Sequence, residues 1–239
     1  MTTTDRWPTL RIMLTGHVAF ALIIWLLFAV VSALVTAGFA IFGTVTTSIW
    51  YTVGTQVPRW FLLGLGVDAI TTYLRLHIAH GRTRKDFLRQ LGPYAVVLSV
   101  VSGLLGALGY LAEHGMYSIA GWPARLPEDM VFGRTTDFFA IFGLYSLVFL
   151  LWTVIGVLLG AAFVRNVLLG VVTIPLALLV ILPGEMLLRV NGMPLIGVLS
   201  DRLAPSVLAG LGLSVAAVVV AGAAIWAISR DMPMRPKVA

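Results

Sequence analysis

Asp68 is the most unusual candidate for chemistry in this chain, a carboxylate placed inside a predicted membrane span. Such a group must be protonated, paired or exposed to water, because hydrocarbon does not solvate its charge. A proton- or ion-coupling role asks for a second titratable group within the membrane, and none falls in a span centre. A structural or subunit-interface carboxylate is the other reading. Arg75 lies seven positions later on a similar face, but about 10 Å along the axis, which makes it a poor direct partner. Glu185 sits in the sequence Pro183-Gly184-Glu185. At a helix break a carboxylate there would bind free backbone amides, or gate an exit path.

His77 and His80 have no adjacent carboxylate or further histidine to complete a metal site, so they read as an interfacial basic pair and no metal is expected. Cysteine is absent, which removes disulfides, thiolate metal sites and thiol nucleophiles together. The sequence holds no glycine-rich phosphate loop ending in Lys and Ser or Thr, no GxSxG and no HExxH. The chain is therefore not expected to hydrolyse ATP by itself, to act as an enzyme or to bind a cofactor of its own.

Stepping outward from these side chains, the stretch His77 to Pro93 gathers Arg82, Arg84, Lys85 and Arg89 in a sequence that is only 11% charged. It belongs outside the lipid. Thr83 followed by Asp86 has the form of a capping box, which satisfies the free amides that open a helix. Gly92 and Pro93 have the form of a stop. Phe87, Leu88 and Leu91 share one side of the two turns between. The spacing predicts a separate short amphipathic helix, too brief to stand without a surface to lie on.

The elements around it follow from composition. With 239 residues, 59% of them hydrophobic, and a mean hydropathy of +1.00, the chain reads as an all-α integral membrane protein. The net charge of +6 comes from basic residues clustered between apolar runs, which fits positive-inside topology and not nucleic-acid binding. No removable signal peptide is expected. Six spans are predicted: His17 to about Gly43, Pro58 to about Ile78, about Gly92 to Leu111, Phe138 to about Phe163, about Val167 to Ile181, and about Pro205 to Ile228.

Residues 1 to 16 read either as a brief amphipathic segment or as a flanking tail, and Thr44 to Gln56, with Trp50 and Tyr51, as a headgroup-level loop. Along the fourth span Phe138, Phe142, Tyr145, Phe149 and Trp152 recur at steps of four and three, a seam suited to helix packing or a subunit contact, or to lining a translocation path. Gly156 and Gly160 form a GxxxG pair, weak evidence of association alone. Between the fifth and sixth spans, Pro183 to Leu199 is too broken to span and too apolar for an ordinary loop, which predicts re-entrant outer helices.

Six spans place both termini on one side. Putting the tails, His77 to Leu91 and the Arg165 turn in the cytoplasm collects ten basic residues there and leaves Arg59, Arg125, Arg134, Arg189 and Arg202 outside. The expectation is one membrane domain over residues 1–239, multi-pass in the cell inner (plasma) membrane, with both termini cytoplasmic.

This organisation resembles the membrane subunits of ABC transporters of the type-2 exporter class, in particular short actinobacterial-like six-helix permeases. The carrying features are Gly81-Arg82-Thr83-Arg84-Lys85-Asp86-Phe87 after the second span and the Pro183-Gly184-Glu185 break before the sixth. The resemblance implies that the short segment is a coupling helix. Arg82, Arg84, Lys85, Asp86, Phe87 and Arg89 would then dock an ABC ATPase subunit that carries ATP and Mg. It implies outer re-entrant helices with Pro183, Gly184 and Glu185 as a gate. It also implies a second membrane subunit, in a homodimer or a related heterodimer, with Asp68, Phe142, Tyr145, Phe149 and Trp152 on the translocation path or the dimer interface. Rival readings are a secondary transporter using Asp68, and a non-transporting assembly or sensor subunit.

Overall fold

The computed structural model describes residues 7–54, 56–123, 125–126, 130–188 and 206–232, without the side chains of 52–54. Among them every regular element is a helix, and six helical stretches are long and apolar enough to cross a bilayer. They are α1 (Pro8–Phe42), α3 with α4 (Val57–Thr71 and Tyr73–Ala79), α5 (Arg84–Ala120), α6 (Phe138–Arg165), α7 (Val167–Leu188) and α8 (Val207–Arg230), with a short α2 (Ile49–Gly54) after α1. The shortest, 22 residues in α7, is about 33 Å long at about 1.5 Å per residue, enough for a hydrocarbon core of about 30 Å.

The bundle is built around α6, which packs against α3, α5, α7 and α8. In its most apolar window 72% of residues are buried, against 17% in α8 and 22% in α1, so α6 is the core helix and the other two present most of their surface outward. Glycines set the α3–α6 approach. A Cβ on Gly66 would run into the carbonyl of Thr153, one on Gly156 into the carbonyl of Leu63, and one on Gly160 into Ile70. The GxxxG pair thus seats α3 within this chain, backbone against backbone. Tyr145, Phe149 and Trp152 are also buried inside the bundle, and Phe138 and Phe142 pack on its edge. The aromatic seam serves helix packing within the chain.

Four expectations change. First, residues 8 to 16 are the opening turns of α1, neither a separate segment nor a tail. Second, Gly92 and Pro93 do not end a helix: α5 runs unbroken from Arg84 to Ala120 with Pro93 inside it. The predicted coupling helix is therefore its first two turns and not a separate element. Proline there removes one main-chain bond, and the buried Leu91, Tyr94 and Ala95 on either side hold the helix through it.

Third, Pro183 and Gly184 do not break α7, which continues to Leu188. Gly184 is pressed against Leu151 of α6 and Glu185 is buried, so the gate residues belong to a packed helix. The rest of the predicted re-entrant region, residues 189–205, lies outside the described residues. Fourth, among the described residues α2 folds back into the bundle. Trp50 stacks on Trp25, halfway along α1, with ring centroids 5.9 Å apart, and its Nε1 donates to the Gly106 carbonyl at 3.0 Å. The cause is Glu113, which accepts from the Trp50 amide at 2.7 Å and from Ser48 Oγ at 2.5 Å and so caps the short helix from α5. Trp50 is thereby buried on a short helix packed against α1 and α5, where a loop was expected.

Candidate functional site

Three polar clusters stand out, one at the end of the bundle that carries Arg84, Arg165 and Arg230, and two deeper. At this basic end α4 stops where Gly81 takes a positive φ of 73° and donates its amide to Ile78. Thr83 then opens α5: its hydroxyl accepts from the Asp86 amide at 3.2 Å and lies 2.7 Å from Asp86 Oδ2, to which it donates. That hydrogen bond from the Thr83 hydroxyl holds the Asp86 carboxyl below its ordinary range.

His77 ties the turn to α1. Its Nε2–H donates to the Thr83 carbonyl at 3.1 Å, leaving Nδ1 to accept from Thr9 Oγ1 at 2.6 Å. Gln90 adds a second tie, accepting the Leu10 amide at 2.9 Å and donating to the Asp86 carbonyl at 3.1 Å. The first turns of α1, the end of α4 and the start of α5 therefore form one hydrogen-bonded knuckle.

Of the residues expected to dock a partner, Arg82, Lys85 and Arg89 are exposed and Arg84 and Asp86 half-buried. Phe87 is fully buried with its ring 5.5 Å from that of His77. It anchors the knuckle and offers no surface to a partner, because its ring packs inward against His77. His77 is buried as well, so the expected pair of interfacial histidines is reduced to His80, which bonds the Leu76 carbonyl at 2.7 Å. No group of three or more potential metal ligands occurs among the described residues.

Deeper in the bundle, Asp68 has the titratable partner that sequence reasoning did not find. His17 of α1 reaches Asp68 Oδ2 through Nε2 at 3.0 Å and the Tyr94 hydroxyl through Nδ1 at 2.5 Å. Thr72 Oγ1 donates to Asp68 Oδ1 at 2.7 Å. The result is a continuous hydrogen-bonded chain from buried Tyr94 through buried His17 to a carboxylate whose side chain is 45% exposed on the seam of α1 and α3. Arg75 takes no part in it among the described residues. The sequence signal was weak: His17 precedes the long uncharged run Val18–Val57 and looks like its flank. Only the pairing of α1 with α3 and α5 turns it inward.

The third cluster pairs two residues that were assigned to the outer surface. Arg59 of α3 and Glu185 of α7 form an ion pair through Nη1 and Oε2, with side chains 0% and 2% exposed. Trp152 Nε1 donates to Glu185 Oε1 at 2.9 Å, and the Trp60 ring lies 4.9 Å from that of Trp152. The pair lies where the first turn of α3 meets the last turn of α7, and Trp152 of α6 closes over it. Arg59 Nε and Nη2 have no hydrogen-bond partner among the described residues. Arg59 does lie at the end of α3 away from the basic knuckle; what a pattern that weighs charges by loop does not foresee is its buried counter-charge.

What the fold and these clusters define is an all-helical, multi-pass membrane protein with a rigid basic knuckle at one end and two polar clusters inside. No family model, no curated protein and no solved structure matches this chain.

Proposed function

We propose that the chain is the membrane-spanning subunit of an ATP-driven exporter. In this reading a separate ABC ATPase subunit, carrying ATP and Mg, docks on the knuckle at the α4–α5 turn and the chain itself hydrolyses nothing. The knuckle faces the cytoplasm with both termini, in the inner (plasma) membrane, and a second membrane subunit completes the path. The observation that carries the reading is the construction of the knuckle. Arg82, Lys85 and Arg89 are exposed on turns bolted to α1 by His77–Thr9 and Gln90–Leu10. A push on those cations moves α1, α4 and α5 together, where a loose loop would absorb it. With Phe87 buried, the docking face consists of Arg82, Arg84, Lys85, Arg89 and the Asp86 carboxylate.

The test is co-purification with an ATPase encoded beside this chain, followed by hydrolysis assays with and without the membrane subunit. Arg82→Glu, Lys85→Glu and Arg89→Glu together are expected to abolish assembly and membrane-subunit-dependent hydrolysis. Intact assembly and coupling in that variant would sink the docking claim.

A second reading, a proton-coupled secondary transporter, is favoured by the Tyr94–His17–Asp68 chain. It is distinguished by transport that runs on a proton gradient without any ATPase and stops in Asp68→Asn.

A further inference from the structure

Between α5, α6 and α8, at the basic end, an apolar groove of about 340 Å³ opens on the outside of the bundle. It runs along α5 from Leu88 to Val96 and along α8 from Trp226 to Val218, with Val154 of α6 as its floor. Eight residues of rise are about 12 Å, most of the roughly 15 Å of one hydrocarbon leaflet. Each rim carries a glycine that faces open space: a Cβ added to Gly92 or to Gly222 would meet nothing within 4 Å.

Its mouth is cationic. Arg84, one turn before Leu88, places Nη1 3.5 Å from the Arg230 carbonyl, and the Arg230 guanidinium lies 4.9 Å from the centre of the Trp226 ring that lines the groove. Arg165 donates to the Ile228 carbonyl at 2.7 Å, so three arginines from three helices surround the end of α8. The acidic neighbour there is Asp231, paired with Arg230 Nε at 3.0 Å. Apolar walls of leaflet depth, an interfacial tryptophan and a ring of guanidinium groups at headgroup level match the two halves of an anionic lipid.

We infer that this groove holds one acyl chain of an anionic phospholipid, with its phosphate between Arg84 and Arg230. The site is independent of the exporter reading, since it needs only a bilayer.

The experiment is native mass spectrometry of the full-length chain released from mild detergent, with phosphatidylglycerol or phosphatidylcholine of the same acyl chains added. The wild type should retain one phosphatidylglycerol and lose phosphatidylcholine, and millimolar inorganic phosphate should not displace the retained lipid. Gly222→Phe fills the slot and should abolish retention, while Gly222→Ala, too small to fill it, should keep it and serves as the folding control. Arg230→Gln, which leaves the main-chain carbonyl bonded by Arg84 in place, should weaken retention roughly fivefold. If Gly222→Phe does not fold, Gly222→Leu replaces it. Equal retention of both lipids, displacement by phosphate, or retention unchanged in the filled variant would overturn the assignment. A change in subunit number on filling the slot would also overturn it, by showing the groove to be a protein interface.

Discussion

Neutralising Glu185 should do more damage than removing the whole ion pair. Arg59 is fully buried between α3, α6 and α7, and Glu185 is its counter-charge. In Glu185→Gln the amide oxygen still accepts from Trp152 Nε1, so shape and that hydrogen bond persist and only the charge is lost. Breaking one side of a buried pair costs about 3–5 kcal/mol, or roughly two to three and a half orders of magnitude in the folding equilibrium at about 1.4 kcal/mol per tenfold. In the double variant Arg59→Met with Glu185→Gln, the buried cation disappears together with Nε and Nη2, which already lack partners among the described residues. Its stability should return to within about 1–2 kcal/mol of wild type, the remainder being the amide hydrogens left in an apolar setting. Unfolding in mixed micelles, followed by tryptophan fluorescence, measures wild type, the single variants Glu185→Gln and Arg59→Met, and the double variant on one scale. If Glu185→Gln lies within about 1 kcal/mol of wild type, or if the double variant loses the sum of the two single losses, the pair is not the buried counter-charge described here.

Gly156→Ala should lower thermal stability and monodispersity sharply, because its Cβ meets the Leu63 carbonyl, whereas Gly64→Ala on the neighbouring helix meets nothing within 4 Å and should be silent. Size-exclusion profiles after heating separate the two. Thr83→Ala removes the cap of α5 and should cost about 1 kcal/mol, seen as faster amide hydrogen exchange in the first turns of α5 with the centre unchanged. Since the Thr83 hydroxyl lowers the Asp86 carboxyl from its ordinary value, this local order should be complete above the ordinary carboxylate range and fade as pH falls through the depressed value. In Thr83→Ala that fading should begin at higher pH. Finally, His17→Gln and Asp68→Asn should each abolish proton-driven uptake in proteoliposomes if the polar chain carries protons; uptake that persists in both would remove the secondary-transporter reading.

The six spans were legible because hydrocarbon demands long apolar runs, and each predicted run has its helix. Their interruptions were not. Proline and glycine read as stops at Gly92–Pro93 and Pro183–Gly184, yet both sites continue as helix, since tertiary packing around Tyr94 and Leu151 outweighs the local cost. Charge was legible as topology and not as pairing. Arg59, Glu185, Glu113 and His17 each sit near the edge of an apolar run, where sequence assigns them to the surface. Their partners lie 126, 126, 65 and 51 residues away along the chain, and nothing local marks them. The Thr83–Asp86 cap was read correctly because it is local.

The partners, once known, single out the segment 57–79. Its residues Arg59, Asp68 and His77 each make the key bond of one cluster, to Glu185 of α7, His17 of α1 and Thr9 of α1. The same segment is pressed onto α6 at Gly66 and Gly156, where backbone meets backbone, and at Gly160, which the Ile70 side chain covers. Between α3 and α4, Thr72 keeps helical dihedrals, its amide donating to the Asp68 carbonyl and its carbonyl accepting from the Leu76 amide, so the two form one continuous span. Thr72 is also the residue whose hydroxyl holds Asp68. A displacement delivered at the knuckle therefore reaches His77 first and the Asp68–His17 bond next. Because Thr72 precedes Asp68 on that path and keeps the helix continuous, the same displacement would run on along α3 to Arg59.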